Sequence, residues 1–287
     1  MELNVLMIGN SFSICVGKNL PQIVRYTGKH RLHLTSAYIG GCSLREHVEN
    51  LQKSPEAPDF RPYRIDVWNT SDLRPRKPGS GDVLSLLKNN VYDIVTIQQA
   101  SHESWDFANY YPWADTLINR IRKYNPAAKI LIQQTWSYRS DNRLLKNWGF
   151  DSDEMYRRVK NSYARFAEKT GFELIPTGDA IQLYRKNCLA EYRILSPEER
   201  AEFVYPDLPP MANDIVGRDL WSRNSEGEME LGLDTIHLNF RGEYLQSCVW
   251  YGKLFHEDPQ DIAWENLQLS RSECKKMQQC AALALKG

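Results

Sequence analysis

A serine hydroxyl is nearly inert at neutral pH and becomes a nucleophile only when an imidazole takes its proton and a carboxylate orients that imidazole. Two short stretches of this chain carry the residue types for such a relay. "VLMIGNSFSI", residues 5–14, runs four apolar residues into Gly9 and Asn10 and then Ser11. "LDTIHLNFRGEYL", residues 233–245, places Asp234 three residues before His237, ahead of an amphipathic run. Of the six histidines, 30, 33, 47, 102, 237 and 256, only His237 brings its own carboxylate in this way. On a compact loop that spacing turns both side chains the same way, so Asp234 holds the ring tautomer and the second ring nitrogen is free for Ser11. A structural reading stays open beside the chemical one: a glycine turn with an Asn or Ser cap, and an Asp capping a helix next to an incidental His.

The elements that must position these residues alternate along the chain. Short β-branched runs at 5–8, 32–39, 94–97, 130–132 and 172–175 read as strands. Amphipathic segments at 12–26, 44–52, 82–89, 111–124 and 153–170 read as the helices between them. Such alternation predicts an α/β fold with a mainly parallel sheet and helices on both faces, and ligands then collect at the carboxyl ends of the strands, where "GNSFS" falls. Two stretches interrupt the rhythm, about 54–81, with a short strand at 63–68, and about 191–232. Both are expected as surface insertions in a single domain spanning 1–287, and the second, tethered just before Asp234, is expected to fold over the cleft.

Composition narrows the classes of partner. The 36 Lys and Arg balance 36 Asp and Glu, which gives no global field favouring nucleic acid or an anionic membrane. No run approaches the length of a membrane span. Residues 5–8 are too short for the apolar core of a signal peptide. A periplasmic or secreted location is expected only if a leader has been removed, and a cytoplasmic one otherwise. The six cysteines lack the paired short spacings of a metal site, and their scatter fits reduced thiols better than a disulfide framework. Cys15 and Cys42 lie near the motif segments without an evident His partner and read as packing residues.

Taken together, the early Gly-Asn-Ser turn and the late D-x-x-H resemble the SGNH (GDSL-like) hydrolase superfamily. "QQTWSY" at 133–138 and "HLNFRGEYLQSCVWY" from His237 resemble more narrowly an uncharacterised SGNH-like family frequent in gut Bacteroidetes. The resemblance implies a flavodoxin-like three-layer α/β/α sandwich and a serine hydrolase acting on esters without metal or organic cofactor. It assigns Ser11 as nucleophile, His237 as base and Asp234 as the orienting acid. "IGGCSLREH", 39–47, matches the glycine block, with the Gly41 N–H as oxyanion donor. The third block departs from the superfamily: no Gly-x-Asn-Asp occurs, and "DIVTIQQASHES", 93–104, stands in its place. The Gln98 amide is expected to replace the missing Asn, with Gln99 as the alternative.

The substrate expected from this resemblance is a small acyl ester, above all O-acetyl groups on a carbohydrate. A glycan methylesterase and a non-catalytic glycan-binding protein on the same fold are the alternatives, and the oligomeric state is not readable. Aromatic residues crowd the expected strand-end loops, and Trp136, Tyr138 and Trp221 are the rings expected to stack on sugar faces, with Trp105, Trp113 and Trp148 nearby. Trp221 is grouped with Ser222 and Arg223 as a ring, a hydroxyl and a cation. Arg45, with Arg74, Arg76 and Arg139, is a candidate partner for a sugar carboxylate.

Overall fold

The structure, a computed structural model, describes the chain apart from residues 58, 73–75, 189–192, 210–213 and 265, and the side chain of 188. Among the described residues nine strands form two sheets: β1 Glu2–Gly9, β2 Arg31–Tyr38, β3 Tyr63–Asn69, β4 Gly79–Gly81, β5 Ile94–Ile97, β6 Lys129–Gln133, β7 Glu173–Ile175, β8 Val216–Arg223 and β9 Met229–Leu238. The helices are α1 Ser11–Ile14, α2 Val16–Thr27, α3 Leu44–Lys53, α4 Val83–Asn89, α5 Trp113–Tyr124, α6 Arg143–Trp148, α7 Ser152–Thr170, α8 Thr177–Cys188, α9 Pro197–Ala201, α10 Phe240–Phe255 and α11 Arg271–Lys286.

The main sheet has the order β4-β3-β2-β1-β5-β6-β7. The five strands β2, β1, β5, β6 and β7 are parallel, and β3 and β4 extend the β2 edge antiparallel. This is the flavodoxin-like α/β arrangement expected from the alternation, with the switch in strand order beside β1. Val5, Leu6, Met7 and Ile8 of β1 are all buried, as a central parallel strand covered on both faces must be. Helices α2, α8, α10 and α11 pack among themselves, as do α3, α4 and α5, and the two groups flank the sheet.

Local signals explain most boundaries. Asp82 caps α4 by accepting from Ser85 N–H, and Asp151 caps α7 by accepting from Glu154 N–H, so each helix starts one residue after an acid. The single helix expected over 12–26 is broken at Cys15. There the Phe12 carbonyl accepts two side-chain amides, Gln133 Nε2 and Gln246 Nε2 at 2.8 Å, which fix α1 as a separate turn.

The described residues of both interruptions include regular secondary structure. Residues 54–81 supply β3 and β4, because Tyr63 and Ile65 of β3 bury against the sheet edge rather than leaving it. Residues 191–232 supply α9, β8 and the first part of β9, and β8 and β9 pair as an antiparallel hairpin outside the main sheet. Arg200 of α9 pairs with Asp219 of β8, which fastens the short helix to the hairpin.

Candidate active site

The end of β1 is a constrained corner. A Cβ on Gly9 would collide with Ser13 Oγ and come within 3.3 Å of Gln98 Cδ, so the strand closes against α1 only with glycine there. Asn10 is the N-cap of α1 and is buried. Its Oδ1 accepts from Phe12 N–H at 3.0 Å and from Gln98 Nε2 at 2.7 Å, and its Nδ2 donates to the Cys42 carbonyl at 3.0 Å. One side chain thus ties the end of β1, the glycine segment after β2 and the end of β5 together. Ser11 follows it as the first residue of α1, only partly buried.

His237 arrives from the other end of the chain. His237 Nε2 lies 2.8 Å from Ser11 Oγ, and its Nδ1 lies 2.9 Å from Asp234 Oδ2. Asp234 Oδ1 accepts from the Ile236 N–H at 2.9 Å and the His237 N–H at 3.0 Å. Burial alone would raise the Asp234 pKa, but the His237 ring and these two backbone donors hold it well below the usual carboxylate range. The acid is therefore ionised wherever the protein is folded near neutrality, as orienting an imidazolium requires. Arg218 Nε, 3.8 Å from Asp234 Oδ2, adds a cation that the sequence motif did not announce.

Gly41 adopts φ +67°, in the region that glycine enters without strain, and is exposed at the turn before α3. Neither the Ser11 N–H nor the Gly41 N–H has a hydrogen-bond partner among the described residues. Gln98 is buried beneath this corner, and its Nε2 donates first to Asn10. Gln99, the alternative donor, is held by other partners than Asn10. Its Oε1 accepts from Leu44 N–H and Ala100 N–H, and its Nε2 donates to the Asn109 carbonyl, so it clasps three loops.

The aromatic assignments need correction. Trp136 and Tyr138, expected to meet sugar faces, are each only 1% exposed. Trp136 stacks on Phe12, and the Tyr138 hydroxyl pairs with Ser101 Oγ at 2.8 Å. Trp105, Trp148 and Phe150 pack on one another, with Tyr138 against Trp148. Composition alone cannot tell a ring that faces a cleft from one that fills the space beneath it. Trp221 is partly exposed, but its Nε1 donates to the Asp207 carbonyl and its ring meets Tyr205 edge-on, both within the same insertion. It lies three residues along β8 from Arg218, which pairs with Asp234, so roughly 10 Å of strand separates the Trp221 backbone from the acid's rung. Arg223 closes the hairpin turn onto the Gly227 carbonyl, so it does not join Trp221 in a binding cluster.

Among the arginines, Arg139 is 3% exposed and bidentate to Asp141 at 2.7 and 2.8 Å, which makes it a buried structural pair rather than a ligand cation. Arg76 pairs with Asp72 at 2.9 Å, and Arg74 lies outside the described residues. Arg45 remains exposed in the first turn of α3, 3.9 Å from Glu49. Beside the acid, Asp141, Asn142, Arg143 and Leu144 face residues 233–236 across a pocket of 490 Å³.

Sequence reasoning also missed a second nucleophile–imidazole contact. Cys42 Sγ lies 3.5 Å from His47 Nδ1, and the Tyr63 hydroxyl lies 2.8 Å from the same nitrogen. The signal was present: Ser43 and Glu46 form a capping box on α3, which places residue 42 before the cap against residue 47 in the first turn. Among the described residues no group of three His, Cys, Asp or Glu is arranged to hold a metal ion, and no helix is long and apolar enough to cross a membrane.

The profile of the "Domain of unknown function (DUF4886)" family matches residues 4–193. The chain belongs to the DUF4886 family. A DUF4886 protein from Bacteroides uniformis superposes over 100% of this chain and 95% of its own, with a TM-score of 0.79 at 22% identity. A protein from Slackia heliotrinireducens, provisionally assigned to the SGNH hydrolases, covers 88% of this chain and 100% of its own, with a TM-score of 0.53 at 16% identity. These likenesses show an SGNH hydrolase fold in a DUF4886 chain. Acetylxylan esterase from Geobacillus stearothermophilus overlays more loosely, at a TM-score of 0.45 and 13% identity over 92% of this chain and 95% of its own. No curated protein matches this DUF4886 chain in sequence.

Proposed function

We propose that this DUF4886 protein is a serine esterase that removes a small acyl group, foremost O-acetyl, from a carbohydrate. The observation that carries the reading is the continuous hydrogen-bonded chain from Ser11 Oγ through both His237 nitrogens to Asp234. Ser11 attacks the ester carbonyl as His237 takes its proton, and the ionised Asp234 stabilises the imidazolium. The uncommitted N–H groups of Ser11 and Gly41 receive the tetrahedral oxyanion, with the second N–H of Gln98 as a third donor. His237 then returns the proton to the leaving alkoxide, and water, activated by the same imidazole, releases the acyl group.

The carbohydrate part of the reading is supported by the surroundings of the acid. The 490 Å³ pocket mixes two carboxylates, an amide, a hydroxyl and a guanidinium with Leu144, Leu233 and Ile236, which suits a polar, non-reacting portion of a substrate better than an acyl chain. Arg218, 3.8 Å from Asp234, and Arg143, which lines the same pocket as Asp234, are cations available to a charged sugar. The direct test is release of acetate and of methanol from a panel of native acetylated and methylated glycans. Acetate release that is lost in Ser11→Ala supports the assignment. Methanol without acetate would move it to a methylesterase, and glycan binding with no release would leave a binding protein on the hydrolase fold.

A further inference from the structure

The two halves of the proposed relay come from parts of the molecule that are not covalently close. Ser11 belongs to the main sheet through β1, whereas Asp234 and His237 sit at the end of a separate hairpin. A 2.8 Å contact between residues 226 positions apart therefore needs a link that fixes the hairpin to the sheet. The segment after β6 supplies it. Arg139 N–H donates to the Thr235 carbonyl at 3.0 Å, and Asn142 Nδ2 donates to Thr235 Oγ1 at 2.7 Å.

Trp136 is the member of this segment that reaches both halves. Its ring stacks on Phe12, the residue after Ser11, with centroids 4.0 Å apart and planes 19° from parallel. Its indole Nε1–H donates at 2.9 Å to the carbonyl of Ile236, the residue before His237. The Phe12 ring in turn lies 5.9 Å from the His237 ring. Phe12 cannot drift, because its carbonyl is held by Gln133 and Gln246.

We propose that Trp136 is a positioning residue that sets the Ser11–His237 distance by gripping Phe12 with its ring face and Ile236 with its indole N–H. This rests on the esterase reading above. It acts through His237 and touches neither substrate nor reacting atoms. A base displaced by about 1 Å costs on the order of a hundredfold in rate, so a small slackening of this grip is measurable.

The test is a cycle of Trp136→Phe and His237→Ala, assayed on 4-nitrophenyl acetate with concentrations fixed by active-site titration. Trp136→Phe keeps an aromatic face for Phe12 and removes the N–H, so folding is preserved. It should lower kcat on the order of tenfold with KM unchanged, and slow fluorophosphonate labelling of Ser11 in parallel. In the His237→Ala background the same substitution should change nothing, because the residue through which it acts is gone. Wild-type kcat in Trp136→Phe, or an equal loss in both backgrounds, would overturn the proposal. A wild-type protein that neither hydrolyses the ester nor takes the label at Ser11 would instead overturn the esterase reading, and the positioning role with it.

Discussion

Ser11 and Cys42 are both nucleophilic side chains against an imidazole, one near the end of β1 and the other beyond β2. Their surroundings are opposite. Ser11 is partly accessible, and His237 is backed by an ionised carboxylate with two backbone donors of its own. Cys42 and His47 are buried, and the third partner is the Tyr63 hydroxyl, which carries no charge to support an imidazolium. Burial pushes the His47 pKa down to about 4 and the Cys42 thiol well above its usual range, so a thiolate–imidazolium pair is disfavoured at both ends. Proximity of nucleophile and base is thus common to the two places. The orienting carboxylate and access to a substrate belong to one of them.

Breaking the contrast outright should give the largest effect. Ser11→Ala should reduce hydrolysis of 4-nitrophenyl acetate by about a thousandfold or more, while Cys42→Ser changes it by less than about twofold. A large loss in Cys42→Ser with an unchanged melting temperature would mean that the wrong nucleophile has been chosen. Removing only the charge behind the imidazole comes next. Asp234→Asn should lower kcat by roughly a thousandfold with KM little altered, because the carboxylate acts in the transition state and not on the bound ester.

The buried imidazole sharpens the comparison through pH. The folded pKa of His47, about 4, lies below the ordinary value of 6.5, so the unfolded chain takes up the proton first. His47 therefore costs no stability above pH 6.5, and the penalty grows as pH falls towards 4 and levels off below it. By roughly 1.4 kcal/mol per pKa unit the full penalty is about 3 kcal/mol. Glu46 is the charged neighbour on the same helix, and Tyr63 and Cys42 are the titratable groups against the ring. Chemical denaturation of wild type and His47→Gln between pH 7 and 4 should show the wild type losing more stability, and parallel curves would contradict the buried neutral state. A smaller kinetic loss than at Asp234 is expected at Gln98. Its substitution by Ala removes both the Asn10 contact and the proposed third oxyanion donor, and should lower kcat on the order of tenfold to a hundredfold.

How far the site was legible depended on the range of the physics involved. The Gly-Asn-Ser turn was readable because a strand, a glycine that must lie close to the next helix and an Asn cap are all local features. The pairing of Asp234 with His237 was readable from their spacing, although both lie on strand β9 and not on the compact loop expected. The hairpin that carries them was read as part of an insertion, because the exposed β8 and β9 lack the buried run of a central strand. Trp136 and Tyr138 were read as ligand rings because the sequence places them after a strand but does not say whether the loop turns inward. Gln98 was legible as a polar group at the end of β5, whereas its bond to Asn10 depends on packing 88 residues apart.

The claim on which the rest depends is that Ser11 is the activated nucleophile. Intact-mass analysis after brief exposure to a fluorophosphonate, followed by peptide mapping, tests it most directly. A single adduct on Ser11, absent from Ser11→Ala, strongly slowed in His237→Ala and unchanged in Cys42→Ser, is the predicted result. No adduct on the folded protein, or an adduct that persists at full rate in Ser11→Ala, would contradict it.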